Sequence, residues 1–301
     1  MTSPALTPRA WALMTLLAVI WGASFLSIRI ALDEIGPFWV VAWRVGLGAA
    51  ALLLWSLWRR TPLPRAAWTA CAVMGFLNNL VPFGLMAWGQ QSVETGLAAI
   101  LNASTAIWGV ALAALLLPDE ALTGRKALGV GLGFAGVALA IGPDALGGLD
   151  PTALGQLAIV AGTVSYGLAA VWARRHLRGL SPLAAATGML SASALMAAPL
   201  AWAVEGPPEL DLAPVTLGAL AYIGLLATAV AYLLYYRIIA LAGSGNAMIV
   251  TLMIPPVGIA LGAWVRAESL PPQAYGGFAL LALGLAVLAT RFPLPLARLR
   301  G

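Results

Sequence analysis

The stretch from Ser244 to Leu270, SGNAMIVTLMIPPVGIALGAWVRAESL, constrains the fold of the whole chain. Its apolar run is long enough to cross a bilayer, because about 20 helical residues span the hydrocarbon core. Pro255-Pro256 interrupts the run near its middle, and the small residues Ala247, Gly258 and Gly262 allow a neighbouring helix to approach closely. A broken, close-packing membrane helix is predicted, with Glu268 just beyond it. About 149 positions earlier, Thr95 to Leu122 repeats this layout, with Gly96 against Gly245, Asn102 against Thr251 and Gly109 against Gly258. After a one-residue slip, Glu120 matches Glu268, Gly129 matches Gly277 and Gly136 matches Gly284. The chain contains two copies of one plan.

Ten apolar runs of this kind are predicted: Ala10–Ala31, Pro37–Trp58, Trp68–Gly89, Thr95–Leu117, Arg125–Gly142, Ala153–Ala173, Pro182–Ala203, Pro214–Arg237, Ser244–Val265 and Pro272–Thr290. The expected fold is an all-α integral membrane protein of ten transmembrane helices, arranged as two five-helix repeats over residues 1–147 and 148–301. A share of 61 % hydrophobic and only 9 % charged residues excludes a soluble globule, in which about a quarter of residues are charged. The first run follows Arg9 and imitates a signal peptide, but it continues past Ser24 to Ile30 and is read as retained. Cys71 is the single cysteine, so no disulfide framework or thiolate metal site is expected.

Loop charge tests the span count. One membrane face receives Arg9, Arg59, Arg60, Arg65, Arg125, Lys126, Arg174, Arg175, Arg178, Arg237, Arg291, Arg298 and Arg300. The other receives Arg29 and Arg266 with Asp33, Glu34, Glu94, Asp144, Asp150, Glu205, Glu209, Asp211 and Glu268. By the positive-inside rule both termini are cytoplasmic, and a repeat of five helices must enter the membrane inverted relative to the first. The net charge of +5 belongs to these loops, which argues against a nucleic-acid partner. Most tryptophans fall toward span ends, where the indole prefers the headgroup boundary; Trp21 and Trp108 fall at mid-depth.

The order of marks resembles the drug/metabolite transporter superfamily, EamA type. They are AVIWGASFLSIRIAL in the first span, WRVGLGAAALLL in the second, and the paired units with Glu120 and Glu268 at their turns. The chain is most similar to the amino-acid exporter branch, including the YddG-like aromatic amino-acid exporters. The resemblance covers nearly the whole chain and implies two inverted five-helix halves and export of small metabolites across a bacterial-type inner membrane. It departs at Pro255-Pro256, where the first half has Ala106 and Ile107.

Candidate pathway residues come from polar groups in apolar runs. Asn79 and Phe83, four apart on one helical face, have repeat partners in Thr228 and Tyr232. Asn102 and Thr105 share a face with Gly109, and Thr251, Pro255 and Gly258 line up likewise. Trp21, Ser24, Phe25, Trp108 and Tyr166 complete the set, the rings offering stacking surfaces for an organic solute. Two readings stay open: a central cavity, or interhelical hydrogen bonds and close packing. Arg44 is the only basic residue well inside a span, where a charge costs about 2.5 to 3.5 kcal/mol on insertion scales. Either a carbonyl or the interface satisfies it, or it attracts a substrate carboxylate. Pro82, Pro255 and Pro256 are candidate hinges.

No carboxylate lies mid-span, His176 sits in a basic loop, and no phosphate-binding loop, nucleophile with its base, or metal-ligand set is read. The expectation is therefore a carrier without cofactor or metal, not an enzyme. It exports amino acids, aromatic and other apolar or small ones, or related metabolites by alternating access, most simply without proton coupling. A proton-coupled drug or metabolite efflux pump is the alternative, followed by a passive channel or a membrane-embedded enzyme. Small-molecule substrate and bilayer are the expected partners, and oligomeric state is left open.

Overall fold

The computed structural model describes residues 7–61, 63–118, 120, 122–142, 151–242 and 249–289. Ser244, Gly245, Ala247, Asp144, Asp150, Thr290, Arg291, Arg298, Arg300 and the expected repeat boundary at 147/148 lie outside them. Among the described residues all regular structure is helical, with no strand. Eight helices are long and apolar enough to cross a membrane: α1 Pro8–Ala31, α2 Pro37–Trp58, α3 Arg65–Gly89, α4 Thr95–Leu116, α5 Gly124–Ile141, α6 Pro151–His176, α7 Pro182–Glu205 and α8 Pro214–Ala242. Two further apolar helices, α9 Ile249–Arg266 and α10 Pro272–Ala289, are fully described only over a shorter length.

Local sequence explains where these helices begin. Thr7 accepts from the Ala10 N–H and Ser181 from the Ala184 N–H, each followed by a proline at the first helical position. There the fixed φ suits the helix and the missing N–H costs nothing. Thr123 caps α5 through the Lys126 N–H. α2 begins differently: Glu205, at the end of α7, accepts from the Phe38 and Trp39 N–H groups at 2.9 and 3.0 Å. A carboxylate from another helix thus neutralises the positive end of α2. Gly36 leaves it room, since a Cβ there would stand 2.3 Å from the Glu205 carboxyl carbon.

The turns grouped by charge in the sequence touch one another. At one end of the bundle Arg266 holds Asp33 through two bonds of 2.7 and 3.0 Å, Glu34 accepts from the Ala213 N–H, and Ser92 donates to the Pro151 carbonyl. At the other, Glu120 accepts from Lys126 and Arg174, both at 2.7 Å. Helices pack in pairs through small residues, as expected where lipid supplies no hydrophobic drive and contact depends on close approach. α5 and α10 show it best. A Cβ on Gly129 would stand 2.9 Å from the Gly284 carbonyl, and one on Gly136 would stand 2.8 Å from that of Gly277. Low with high and high with low means that the two helices run antiparallel.

Three helices depart from regular α geometry. α3 contains a π segment at Phe76–Leu80, and α8 a longer one at Tyr222–Val230. The sequence predicts a hinge at Pro82 in the first and no irregularity in the second, and a π segment in neither. In α3 the π segment ends just before Val81-Pro82, so Pro82 stands in the first turn of a fresh α segment, where its missing N–H is harmless. The irregularity there belongs to the π turn as well as to the proline. α4 is interrupted at Ala103-Ser104 without any proline, where the Ser104 N–H reaches back only to Leu101. α9 runs as one helix through Pro255-Pro256, where the sequence predicts a break, and α7 runs likewise through Pro199, a proline not singled out from the sequence.

Candidate functional site

The two π segments leave backbone carbonyls and polar side chains facing neighbouring helices, and neighbouring helices bind them. In α8 the Ala231 N–H bonds the Leu226 carbonyl, five residues back. The Ala227 carbonyl, its ordinary α-helical acceptor, takes the Trp21 indole N–H at 3.2 Å. In α3 the Leu77 carbonyl takes the Ser165 hydroxyl of α6 at 2.6 Å. α1 is thereby tied to one π segment and α6 to the other.

Between them lies a buried polar cluster contributed by α2, α3, α7 and α8. Tyr232 donates its hydroxyl to Asn79 Oδ1 at 2.9 Å and accepts from Asn78 Nδ2 at 3.0 Å. Asn79, fully buried, donates in turn to Ser193 Oγ at 2.9 Å. Thr228 donates to the Ile223 carbonyl at 2.7 Å and accepts from Arg44 Nε at 3.1 Å. The Arg44 guanidinium lies 3.7 Å from the centroid of the Phe83 ring, and Phe83 meets Tyr166 of α6 edge-on with centroids 6.4 Å apart. The structure therefore brings Arg44, Asn79, Phe83, Tyr166, Thr228 and Tyr232 together. The repeat-matched faces of α3 and α8 meet in one place.

The other candidates are distributed around this cluster. Trp21 is half-buried, its ring 5.6 Å from Tyr235, while the Tyr222 hydroxyl donates to the Ile20 carbonyl beside it. Ser24 returns its hydroxyl to the Trp21 carbonyl. Phe25 is 5 % exposed within the apolar cluster that includes Leu101 and Ile254, and its carbonyl accepts from the buried Gln90. Asn102, Thr105 and Trp108 line part of α4: Thr105 donates to the Asn102 carbonyl, and Trp108 packs edge-on against Phe134 at 4.7 Å. Thr251 is half-buried on α9. There, Gly258 serves close packing, since a Cβ would meet Ala99 of α4 at 2.8 Å. Gly109 and Gly84 have nothing within 4 Å of a Cβ, so close packing is not their role.

Sequence reasoning missed Asn78, Ser193 and Met189. The Asn78-Asn79 pair in an apolar run was a visible signal, but regular helical spacing sends two neighbours about 100° apart. Both reach Tyr232 in the altered geometry of the π segment. Ser193 and the hydroxyl pair of Ser104 with Thr163, 2.9 Å apart, look in sequence like ordinary small residues of membrane helices.

Two clefts open at the bundle end that carries most of the basic turns. One, of about 310 Å³, lies among Met74, Ala173, Arg174, Leu177, Arg178, Met189 and Tyr236. The other, of about 470 Å³, lies among Trp55, Arg59, Ser181, Leu183, Leu233 and Tyr236. Met189, which borders the first, separates it from the central cluster, its Sδ lying 3.6 Å from Asn78 Nδ2. Outside the helices, Asp33 is held below its ordinary pKa by the hydrogen bond from Arg266, and Glu120 by those from Lys126 and then Arg174.

The chain is similar to known transporters along most of its length. The inner membrane transporter YedA of Escherichia coli (strain K12), described as uncharacterized, is 26 % identical over 280 residues, covering 91 % of this chain and 86 % of that one. The uncharacterized transporter YoaV of Bacillus subtilis (strain 168) is 21 % identical over 251 residues, covering 82 % and 85 %. A crystal structure described only as that of a protein shares the fold, with a TM-score of 0.65 at 20 % identity over 93 % of this chain and 96 % of that one. The profile of the EamA-like transporter family matches residues 9–142 and again 153–290. Two matches of one profile, spread over this apolar helical bundle, make the chain a multi-pass membrane transporter that belongs to the EamA-like transporter family of the drug/metabolite transporter superfamily.

Proposed function

We propose that this transporter exports amino acids, aromatic and other apolar or small ones, and similar metabolites across a bacterial inner membrane by facilitative alternating access. The observation that carries the reading is the cluster of Arg44, Asn79, Phe83, Tyr166, Thr228 and Tyr232, drawn from four helices of a largely apolar bundle. Its rings and amide and hydroxyl groups suit a small amphipathic solute. Ten spans in two inverted halves, with both termini cytoplasmic, complete the proposal. The antiparallel packing of α5 on its repeat partner α10 supports inversion, and so do the contacts among turns of like charge character. Inverted repeats enclose sites near the midplane, and this cluster lies between the paired helices α3 and α8.

The test is uptake of a panel of radiolabelled amino acids by proteoliposomes containing the purified chain. Saturable counterflow of aromatic and small apolar members is expected. Absence of flux for every member, with protein shown to be inserted, removes the amino-acid assignment. Flux that rises linearly with concentration would point to a channel.

A further inference from the structure

Arg44 is 7 % exposed in the apolar interior, yet the structure gives it no carboxylate. Its Nε is committed to Thr228 and one guanidinium face to Phe83. The N–H groups of both terminal nitrogens find no acceptor among the described residues. Its electrostatic neighbours are two tyrosines, Tyr166 and Tyr232. Tyr232 is engaged at both ends of its hydroxyl, by Asn78 and Asn79. Tyr166 has ring contacts and no hydrogen bond to its hydroxyl among the described residues. A structural arginine in a membrane helix bonds carbonyls or an acid, or reaches the interface; this one does none of these. Its plane is held by a ring on one face and a hydroxyl at Nε, leaving the outer edge that pairs with a carboxylate through two parallel bonds.

We propose that Arg44 is the carboxylate anchor of the transported solute, with the Tyr166 hydroxyl as a further donor and the Phe83 and Tyr166 rings against the solute's apolar body. This deepens the transport reading and rests on it. Among the described residues the cluster holds a fixed cation and no fixed anion to match an ammonium group. The carboxylate is therefore the group the site reads, and an arylalkanoate without an amine is bound as well as an aromatic amino acid.

Equilibrium binding to the full chain in nanodiscs tests this, using radiolabelled phenylalanine and 3-phenylpropanoate, with phenylalaninamide and phenethylamine as competitors. The two carboxylates are expected to bind within about tenfold of each other and the two amines at least a hundredfold more weakly. Arg44→Gln should cut carboxylate affinity about a hundredfold, and Arg44→Lys should restore part of it. Because loss of Arg44 can disturb folding, Tyr166→Phe supplies a second readout: it removes a hydroxyl bonded to no described residue. It should weaken both carboxylates about fivefold without changing the melting temperature. Amide and acid binding equally, or a folded Arg44→Gln chain that keeps the preference for carboxylates, overturns the anchor and leaves the amino-acid assignment standing. Binding of 3-phenylpropanoate without any amino acid does the reverse.

Discussion

Asn79 shows how little of a site's chemistry is visible one residue at a time. Its type and its repeat partner marked it as a pathway candidate, and it does sit in the central cluster. Yet it is fully buried, donating to Ser193 and accepting from Tyr232. Replacing it by Ala leaves the buried Tyr232 hydroxyl without its acceptor, while Ser193 keeps its bonds to the Gly75 and Met189 carbonyls, so Asn79→Ala should lower stability by about 1 to 2 kcal/mol. Thermal unfolding in detergent reads this as a lower melting temperature, and an unchanged one would mean that the partners re-pair. Tyr232→Phe removes the same bridge while keeping the ring, and should change selectivity among transported solutes more than abundance in the membrane. Trp21→Phe separates packing from hydrogen bonding at the other π segment, since it keeps the ring against Tyr235 and loses the bond to Ala227. If selectivity survives it, Trp21 only fastens α1 to α8. Pairing partners such as Ser193 were not legible because they are set by which helices meet, a long-range fact. The burial cost of Arg44 was legible, because charge in an apolar run is conspicuous whatever the fold.

Helix ends and lengths were read closely from the sequence because proline starts, caps and the bilayer's thickness are local or uniform constraints. α2 begins and ends at the expected Pro37 and Trp58. The π segments were not legible, since their hydrogen bonds shift by one residue only when a neighbour such as Trp21 or Ser165 takes a carbonyl. π segments are, like prolines, recognised places for a helix to bend. α9 carries two adjacent prolines, Pro255-Pro256, inside one continuous helix. If these serve gating, replacing both by Ala should leave equilibrium solute binding within a few-fold but slow turnover. Cysteine accessibility at the two bundle ends should shift toward one facing state. Unchanged turnover and accessibility in a stable double variant would leave a static kink. The ion pairs at opposite ends, Asp33 with Arg266 and Glu120 with Arg174, join helix ends that the repeat places in correspondence. Their carboxyl pKa values are depressed by the donated hydrogen bonds, so the stability they contribute is complete above the ordinary values of 3.8 and 4.5 and is lost as pH falls below them. Both pairs should therefore hold unchanged from pH 6 to 8. A melting temperature that moves across that window would require another titrating group.

At the scale of the molecule, the arrangement of charge decides what can drive the flux. Among the described residues no Asp or Glu stands near the central cluster, so no carboxylate is placed to load and unload a proton there. Arg44 carries the fixed charge, and a guanidinium keeps its proton at any working pH. A zwitterionic amino acid then crosses without moving net charge, while an arylalkanoate anion moves one. Moving one elementary charge through 100 mV is worth about 2.3 kcal/mol, roughly a fiftyfold difference in accumulation ratio. In proteoliposomes clamped at 100 mV, phenylalanine should therefore equilibrate to equal concentrations on both sides. 3-Phenylpropanoate should accumulate severalfold to tens of fold on the positive side. At fixed voltage, a pH gradient should leave the initial flux of both unchanged. Acidification of the lumen that tracks phenylalanine entry one for one would instead show a proton travelling with the solute, and the facilitative mechanism would have to be abandoned for proton coupling through hydroxyls and water.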